Sequence, residues 1–538
     1  MSNRLVKKDG KEKSSAADIL LEVIRYIAAI TMILIGIIIP LYLKDGYHGV
    51  GDCKYEAYEW CVRIGFISLI LVLAVYWVIS SKKNEDFRMT YVDYFAAAFA
   101  VFSVVSALAG GNFMECLRGY KGWYMGVTSV ISFVLLYYFA SNYAKFYRVI
   151  LFIFCTVAFV TFVLAVLNRL LIDPLGVYEG IADKFKNQFL STLGQATWYS
   201  SYMAVLLPIG AGYFISSKRE EKPLVFFLSM LFCTVGFMSA VTQNSDSIYF
   251  ALTGMFLALL FVCKNSAEGI SRYFELVLLF FVSTRLMYLL LIIHPNEILK
   301  LDKLSTFMIY NPVMWALTIV VGVVCEGIYY INVKKERYSE KFWKIFFYVI
   351  FGIFVFAVIL SVTILIADAK GVLPESISNV TSKLPYLHWS EKWGTDRGWT
   401  WTFSAMMYGE MSLKNKLFGV GPDGYAPYAY SFYHDRLYEM WGDRTLTNAH
   451  NEWMNALISY GLVGAVAYIG IFVSAFRIFV KKTASRPELM GFAASIAAYM
   501  FHNFFCYQQV CCTPFLFMLI GVGIYIYRED EKDKKVEQ

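Results

Sequence analysis

The sequence predicts an all-α polytopic membrane protein. Of its 538 residues, 58% are hydrophobic and 17% charged. The mean hydropathy is +0.53. Apolar runs of about twenty residues, the length that crosses roughly 30 Å of hydrocarbon, recur from end to end. Fourteen runs fall near 19–43, 61–81, 89–109, 124–141, 147–168, 196–216, 223–240, 247–263, 273–293, 311–332, 345–367, 452–480, 487–505 and 511–527. The chain therefore divides into a tail at 1–18, eleven transmembrane helices over 19–367, a large, partly helical extracytoplasmic loop at 368–450, three further helices over 451–527, and a tail at 528–538.

Orientation follows from the connections. With a cytoplasmic N-terminus, the inner segments (1–18, 80–88, 141–148, 216–223, 263–273, 333–344, 477–486 and 528–538) hold 28 of the 48 Lys and Arg residues. This positive-inside bias assigns both termini to the cytoplasm and 368–450 to the outside. The net charge of +7 is thus read as topology, not as affinity for nucleic acid. Lys7, Lys8, Lys11 and Lys13 precede a first span too long for a cleavable leader and without a small-residue cleavage site.

The ten cysteines are scattered. Cys155, Cys233, Cys263 and Cys325 lie in or beside spans as small apolar residues. Cys53 and Cys61 share one outer loop, where either a disulfide or two unpaired thiols is consistent with the spacing. No CxxC pair and no zinc-like histidine spacing occur, so no metal is indicated. No GxxxxGK[ST] or GxGxxG is present, which leaves nucleotide hydrolysis unsupported.

Taken in order, the outer connections carry the unusual polar groups. Arg118 to Gly126 (RGYKGWYMG) sets Arg118 and Lys121 among glycines and aromatics. Such a loop holds a phosphate and stacks on sugar, or is an interfacial turn with ordinary snorkelling cations. Gln188 to Thr197, with Gln195, offers amides and hydroxyls at a helix entrance, for sugar hydroxyls or for capping. Asp246 lies in the tight turn Gln243 to Ser247, where it also suits a helix start. Asp93 is expected to be hydrated and without a role. Of the arginines within apolar runs, Arg25 is placed to snorkel inward and Arg285 is central. The 368–450 loop is too rich in Trp, Tyr, Phe and Met for a solvated linker, so it is expected to pack over the outer mouth of the bundle. Late in the chain, His502 is more simply a packing histidine than a catalyst.

The loop ends in the stretch on which the functional reading rests, Leu417 to Gly464. A glycine-rich turn (Gly419 to Gly424, with Asp423) precedes a His-Asn-Glu cluster at the start of an apolar helix. Asn448 is the expected N-cap, which places His450 in the first turn with Asn451 beside it. His450, Trp453, Leu457, Gly461 and Gly464 then form one helical stripe.

Several of these segments resemble a known family. GWYMG at 122–126, FLSTLGQATWYSSY at 189–202, QNSDS at 243–247, DRGWTW at 396–401, FGVGPDGY at 418–425 and NAHNEWMNALISYGLVG at 448–464 are similar to the O-antigen ligase and polysaccharide polymerase superfamily. The resemblance covers most of the chain in order, and its final motif is the most specific. It implies a GT-C-like membrane fold in the plasma (inner) membrane and a glycosyltransferase needing neither metal nor nucleotide. Such an enzyme moves a glycan from undecaprenyl diphosphate to an acceptor hydroxyl of a glycan or lipid outside the membrane.

The resemblance also implies His450 and Arg397 as catalytic residues; Arg118, Lys121, Gln188, Gln195, Asp246, Asp423 and Asn451 are the residues expected to bind substrate. This chain departs from the family at Gln188 and Asp246, where many relatives carry arginine, and at Gln195 and Thr197, where they carry asparagine. The second diphosphate-binding cation therefore stays open among Arg118, Lys121, Lys184, Arg436 and Arg444. Ligase and polymerase also stay open. The competing reading, a transporter or flippase for the same lipid-linked glycan, rests on Arg285.

Overall fold

The computed structural model describes residues 15–80, 89–294, 296–384 and 386–537. Residues 1–14 of the N-terminal tail, residues 81–88 of the second inner segment and Gln538 lie outside the described residues. Among the described residues the chain is 75% helical with 21 helices, and each of the fourteen apolar runs falls on one of them. In chain order these are Ala16–Leu41 (α1), Val50–Ile79 (α2), Tyr91–Gly110 (α3), Val127–Tyr143 (α4), Tyr147–Arg169 (α5), Ala196–Ser216 (α6) and Pro223–Ala240 (α7). Ser247–Cys263 (α8), Ala267–Ile293 (α9), Val313–Tyr329 (α10), Glu340–Ala369 (α11), Glu452–Lys482 (α12), Leu489–His502 (α13) and Thr513–Glu537 (α14) complete the set. Nine of the described helices are long and apolar enough to cross a membrane, and the helices of α4, α8 and α13 are shorter apolar ones. Multi-pass membrane insertion follows from this length and composition.

α13 is the centre of the packing, lying between α6 and α8, while α12 runs along α3 and α14 along α4. Small residues make this possible. A side chain at Gly212 of α6 would overlap the backbone of Gly491 in α13, and one at Gly254 of α8 would come within 2.7 Å of the Ala497 carbonyl. Nearly every residue of α6 is buried as a result.

At the opposite end from the large loop, Asp93 is buried and not hydrated as expected. It accepts from Arg528 Nη2 at 2.8 Å and from the Tyr137 hydroxyl at 2.7 Å. The last segment, read as a tail from residue 528, continues α14 to Glu537. There Asp530 takes Lys482, Arg486 and Lys534 at 3.2, 3.2 and 2.8 Å. Cys53 and Cys61 are both free and sit on α2. Eight residues along one helix is about 12 Å, beyond the roughly 7 Å reach of a disulfide, so the loop that suggested a bridge does not exist. Arg285 donates to the Met308 carbonyl and lies 5.4 Å from the Trp315 ring. Arg25 pairs with Glu22 at 2.6 Å.

The large loop folds into helices Glu375–Thr381, Trp393–Glu410, Leu413–Phe418 and Tyr425–Trp441. It carries its own apolar cluster of Trp399, Phe403, Met407, Tyr425 and Leu437, which closes against Ile458 of α12. This is the packed cap that its aromatic content led us to expect.

Candidate functional site

The glycine turn and α12 form one interlocked unit. Gly461 breaks α12 with φ +65° and ψ −178°, which frees carbonyls of the preceding turn. Val420 N and Gly421 N donate to the Ile458 and Ser459 carbonyls at 3.1 and 2.9 Å. Glycine is required at Gly419 and Gly461 because a Cβ on either would overlap the backbone of the other segment. The turn amides are therefore committed to α12, and the continuous helical stripe expected from His450 to Gly464 is interrupted. Asp423, the turn's carboxylate, accepts from Tyr120 N at 2.9 Å and Met125 N at 2.8 Å. Those bonds fasten the Arg118 to Gly126 loop to the same unit. Burial pushes the Asp423 carboxyl up to about 6.

The helix start also differs from expectation. Asn451, not Asn448, is the N-cap, accepting from Trp453 N at 3.0 Å and Met454 N at 3.1 Å. Both asparagines of the Asn-Ala-His-Asn run satisfy the local capping rule. The choice is made by a distant contact, because Glu452 N donates to the Asn503 carbonyl at 2.9 Å. His450 consequently lies outside the helix, with φ +49°. Its amide bonds the Asn448 side chain at 2.9 Å. The imidazole stands edge-on to Tyr507 with 5.3 Å between centroids. It makes no hydrogen bond among the described residues, so its nitrogens remain available.

Arg397 arrives from the cap by a strained route. Gly394, Thr395 and Asp396 all have positive φ just before it, and two of these are not glycine, a cost of order 1–3 kcal/mol each that packing must offset. Its Nη2 donates to the Phe505 carbonyl at 3.0 Å and its Nη1 to the Gly394 carbonyl at 2.6 Å, while its buried Nε has no partner. Arg397 thus grips residue 505 and His450 faces residue 507 of the same hairpin. The two side chains, far apart in sequence, meet the same short segment. Their proximity is felt electrostatically. Burial, and secondarily the Arg397 charge, lower the His450 imidazole from 6.5 to about 4, which leaves it neutral at pH 7.

An aromatic wall adjoins them. Trp123 is edge-on to Tyr507 at 4.8 Å and to Trp198 at 5.7 Å. Below Tyr507 a cavity of about 10 Å³, lined by Asp423, Asn448, Asn455, Tyr460 and Gln508, is roughly the size of one water. Asn455 Oδ1 and Gln508 Nε2 have no protein partner. Asp246 is half-buried on the other side of Arg397 and accepts from the Tyr386 hydroxyl at 3.0 Å. Desolvation raises its carboxyl, and Arg397 pulls it partly back.

The remaining sequence candidates are not gathered here. Arg118 lies over the Tyr55 and Tyr124 rings and pairs with Glu59 at 3.3 Å, and Lys121 is exposed. Gln188 precedes the two-residue strand Phe189–Leu190 and Gln195 ends its partner Gly194–Gln195, and both are exposed. Of these residues, Gln188 acts through its carbonyl, which accepts from Ala196 N at 2.8 Å.

Sequence reasoning undervalued the hairpin after α13. His502 is fully buried, with Ser200 and Ser247 hydroxyls at 2.8 and 3.0 Å from Nε2 and Asn503 Oδ1 at 3.2 Å from Nδ1. Gln509 Nε2 donates to Ser201 at 2.8 Å. This network holds the hairpin that carries Phe505 and Tyr507. The signal was the density of amides and hydroxyls at a membrane edge, where apolar residues are the rule. No family model matches the chain, and no curated protein matches it.

Proposed function

We propose that this protein is a metal-independent glycosyltransferase that moves a glycan from undecaprenyl diphosphate to an acceptor hydroxyl at the outer face of the membrane. In this reading the fourteen apolar helices span the membrane, both termini are cytoplasmic, and the cap lies outside. The acceptor oxygen attacks the anomeric carbon, the bond from that carbon to the diphosphate oxygen breaks, and the hydroxyl proton passes to His450. Arg397 neutralises the departing undecaprenyl diphosphate, as a preorganised cation does for developing charge. A neutral imidazole is the form a general base requires. Diphosphate binding at Arg397 would offset the smaller, repulsive part of the depression of His450, the larger part being burial.

The observation that carries this reading is the convergence of Arg397 and His450 on residues 505 and 507, beside an aromatic wall and under a packed cap. His450→Ala and Arg397→Ala, each checked for normal membrane abundance, are expected to lower glycan product at least about 100-fold. Chromatography of surface and carrier-linked glycans is the measurement. Normal product from both variants overturns the proposal. Carrier-linked chains that are complete but not transferred indicate a ligase, and loss of long chains indicates a polymerase.

A further inference from the structure

α1 and α2 run side by side. They are in tight contact where a Cβ on Gly65 would overlap the Thr31 side chain. From that contact toward the loop that joins them, a groove of about 910 Å³ opens between the two helices. Its walls are apolar, with Ile30, Leu34 and Ile37 on α1 and Ala57, Cys61 and Ile64 on α2. Leu41 and Glu56 also line it. Each lies roughly 14–15 Å of helix beyond the Thr31–Gly65 contact, at 1.5 Å per residue. That is the depth of one leaflet, half of about 30 Å of hydrocarbon.

The rim is aromatic and charged. Tyr42 and Trp60 are 46% and 63% exposed there, as ring side chains are at a headgroup boundary. Lys44 and Glu56 line the same rim and are exposed. Neither is paired with the other or with any described residue. The other charges close by are committed or lie off the groove. Lys54 is fully buried and donates to the Ile39 and Pro40 carbonyls at 2.7 and 3.1 Å. Glu59 accepts from Arg63 at 2.7 Å and from Arg118 at 3.3 Å. None of these three, nor Asp45 or Asp52, lines the groove.

A slot one leaflet deep with apolar walls, opening sideways from a membrane helix pair, holds hydrocarbon in preference to water. Its volume of about 910 Å³, spread over the roughly 22 Å of helix from Cys53 to Ser68, gives a mean cross-section of about 40 Å². A helix about 10 Å across needs roughly twice that area, so chains fit the slot and a helix does not. The matching head offers an anion to Lys44 and a hydrogen-bonding cation to Glu56. We infer that the groove binds one phospholipid whose head joins a phosphate to a primary amine, a phosphatidylethanolamine. The phosphate lies on Lys44, the amine on Glu56 and the chains between α1 and α2. The groove shares no residue with the site of Arg397 and His450, and the inference does not depend on the transferase reading.

The test incubates the full chain, purified in detergent, with equal amounts of phosphatidylethanolamine and phosphatidylglycerol and reads the retained lipid by native mass spectrometry. Phosphatidylglycerol carries the phosphate without the amine. Retention of phosphatidylethanolamine is expected to exceed it about fivefold, the ratio that one charge pair at the membrane surface supplies. Glu56→Gln, at an exposed position that leaves the packing intact, is expected to bring the ratio near one. Lys44→Gln is expected to lower retention of both lipids.

Ala57→Trp fills the groove and is expected to release the lipid, whereas Leu71→Trp, on α2 outside the groove, retains it. Equal retention of the two lipids by the unaltered chain overturns the proposal, as does a preference that survives Glu56→Gln. A second copy of the chain retained in place of lipid, and lost from Ala57→Trp, overturns it as well.

Discussion

The wall of α6, α8 and α13 and the outlying helix α11 differ in a way that hydropathy inverts. α11 is the most apolar of the candidate spans, at 3.1, yet its apolar window is bare. α6 is not apolar enough to be counted among those spans, yet it is buried along almost its whole length. α6 carries Ser200, Ser201, Gly210 and Gly212, whereas α11 is mostly Phe, Ile and Val with a single glycine, Gly352. Hydrocarbon lipid solvates large apolar side chains as well as protein does, so apolarity places a helix in the membrane without attaching it to anything. Small residues and hydroxyls attach it, by close backbone approach and interhelical hydrogen bonds. The division suits the proposed chemistry: the tight wall holds His450 and the 503–509 hairpin, and the loose helix leads into the segment bearing Arg397.

The comparison can be broken at several points. The largest expected effect is the loss of product, at least about 100-fold, from His450→Ala or Arg397→Ala, because each removes one side of the junction between wall and cap. Gly212→Ala comes next. Its Cβ would overlap the Gly491 backbone, and overpacking of this kind costs about 1–3 kcal/mol. A lower midpoint of thermal unfolding in detergent is expected. The matched change Gly352→Ala, which meets nothing within 4 Å, is expected to leave the midpoint unchanged or raise it, by up to about 1 kcal/mol from helix propensity. Equal effects at the two sites would remove the distinction between wall and arm.

The pH dependence sharpens the same point. With His450 held near 4 against an ordinary 6.5, the folded state resists a proton that the unfolded chain accepts. The stability tied to the neutral imidazole is therefore full above pH 6.5 and is lost as pH falls from 6.5 through 4. If the proposed transfer runs through His450, the acid limb of kcat/KM is expected near pH 4, and a limb near 6.5 contradicts the burial of His450 before substrate binds. Desolvation is the larger cause and the Arg397 charge the smaller. The His450 resonances of Arg397→Gln, followed by NMR, are therefore expected to titrate only modestly higher. The smallest effect is expected from Arg118→Ala and Lys121→Ala, less than about tenfold in product. Arg118 is engaged in an exposed pair and Lys121 faces outward, and exposed pairs contribute about 0–1 kcal/mol.

What the residues determine by themselves is whatever is local. Each apolar run became a helix because a buried or lipid-solvated backbone must satisfy its own hydrogen bonds within the segment. The aromatic loop became a packed cap because such side chains do not stay in water. The residue types at His450 and Arg397 drew attention to two distant stretches that the structure brings onto one segment, residues 505–507.

Tertiary structure decided the rest. Asn448 and Asn451 are equivalent as caps by local rules, and only the Asn503 carbonyl, about fifty residues away, selects the second. Gly461 looked like a close-packing glycine on a helix face, but the glycine turn lying across it breaks the helix. Asp423 looked like a ligand and is spent first on two backbone amides. His502, expected as a packing histidine, is a buried and satisfied one, and its partners are the hydroxyls of Ser200 and Ser201 on α6 and Ser247 on α8, with the side chain of the adjoining Asn503. In each case the deciding partner is far along the chain, where periodicity and spacing carry no information.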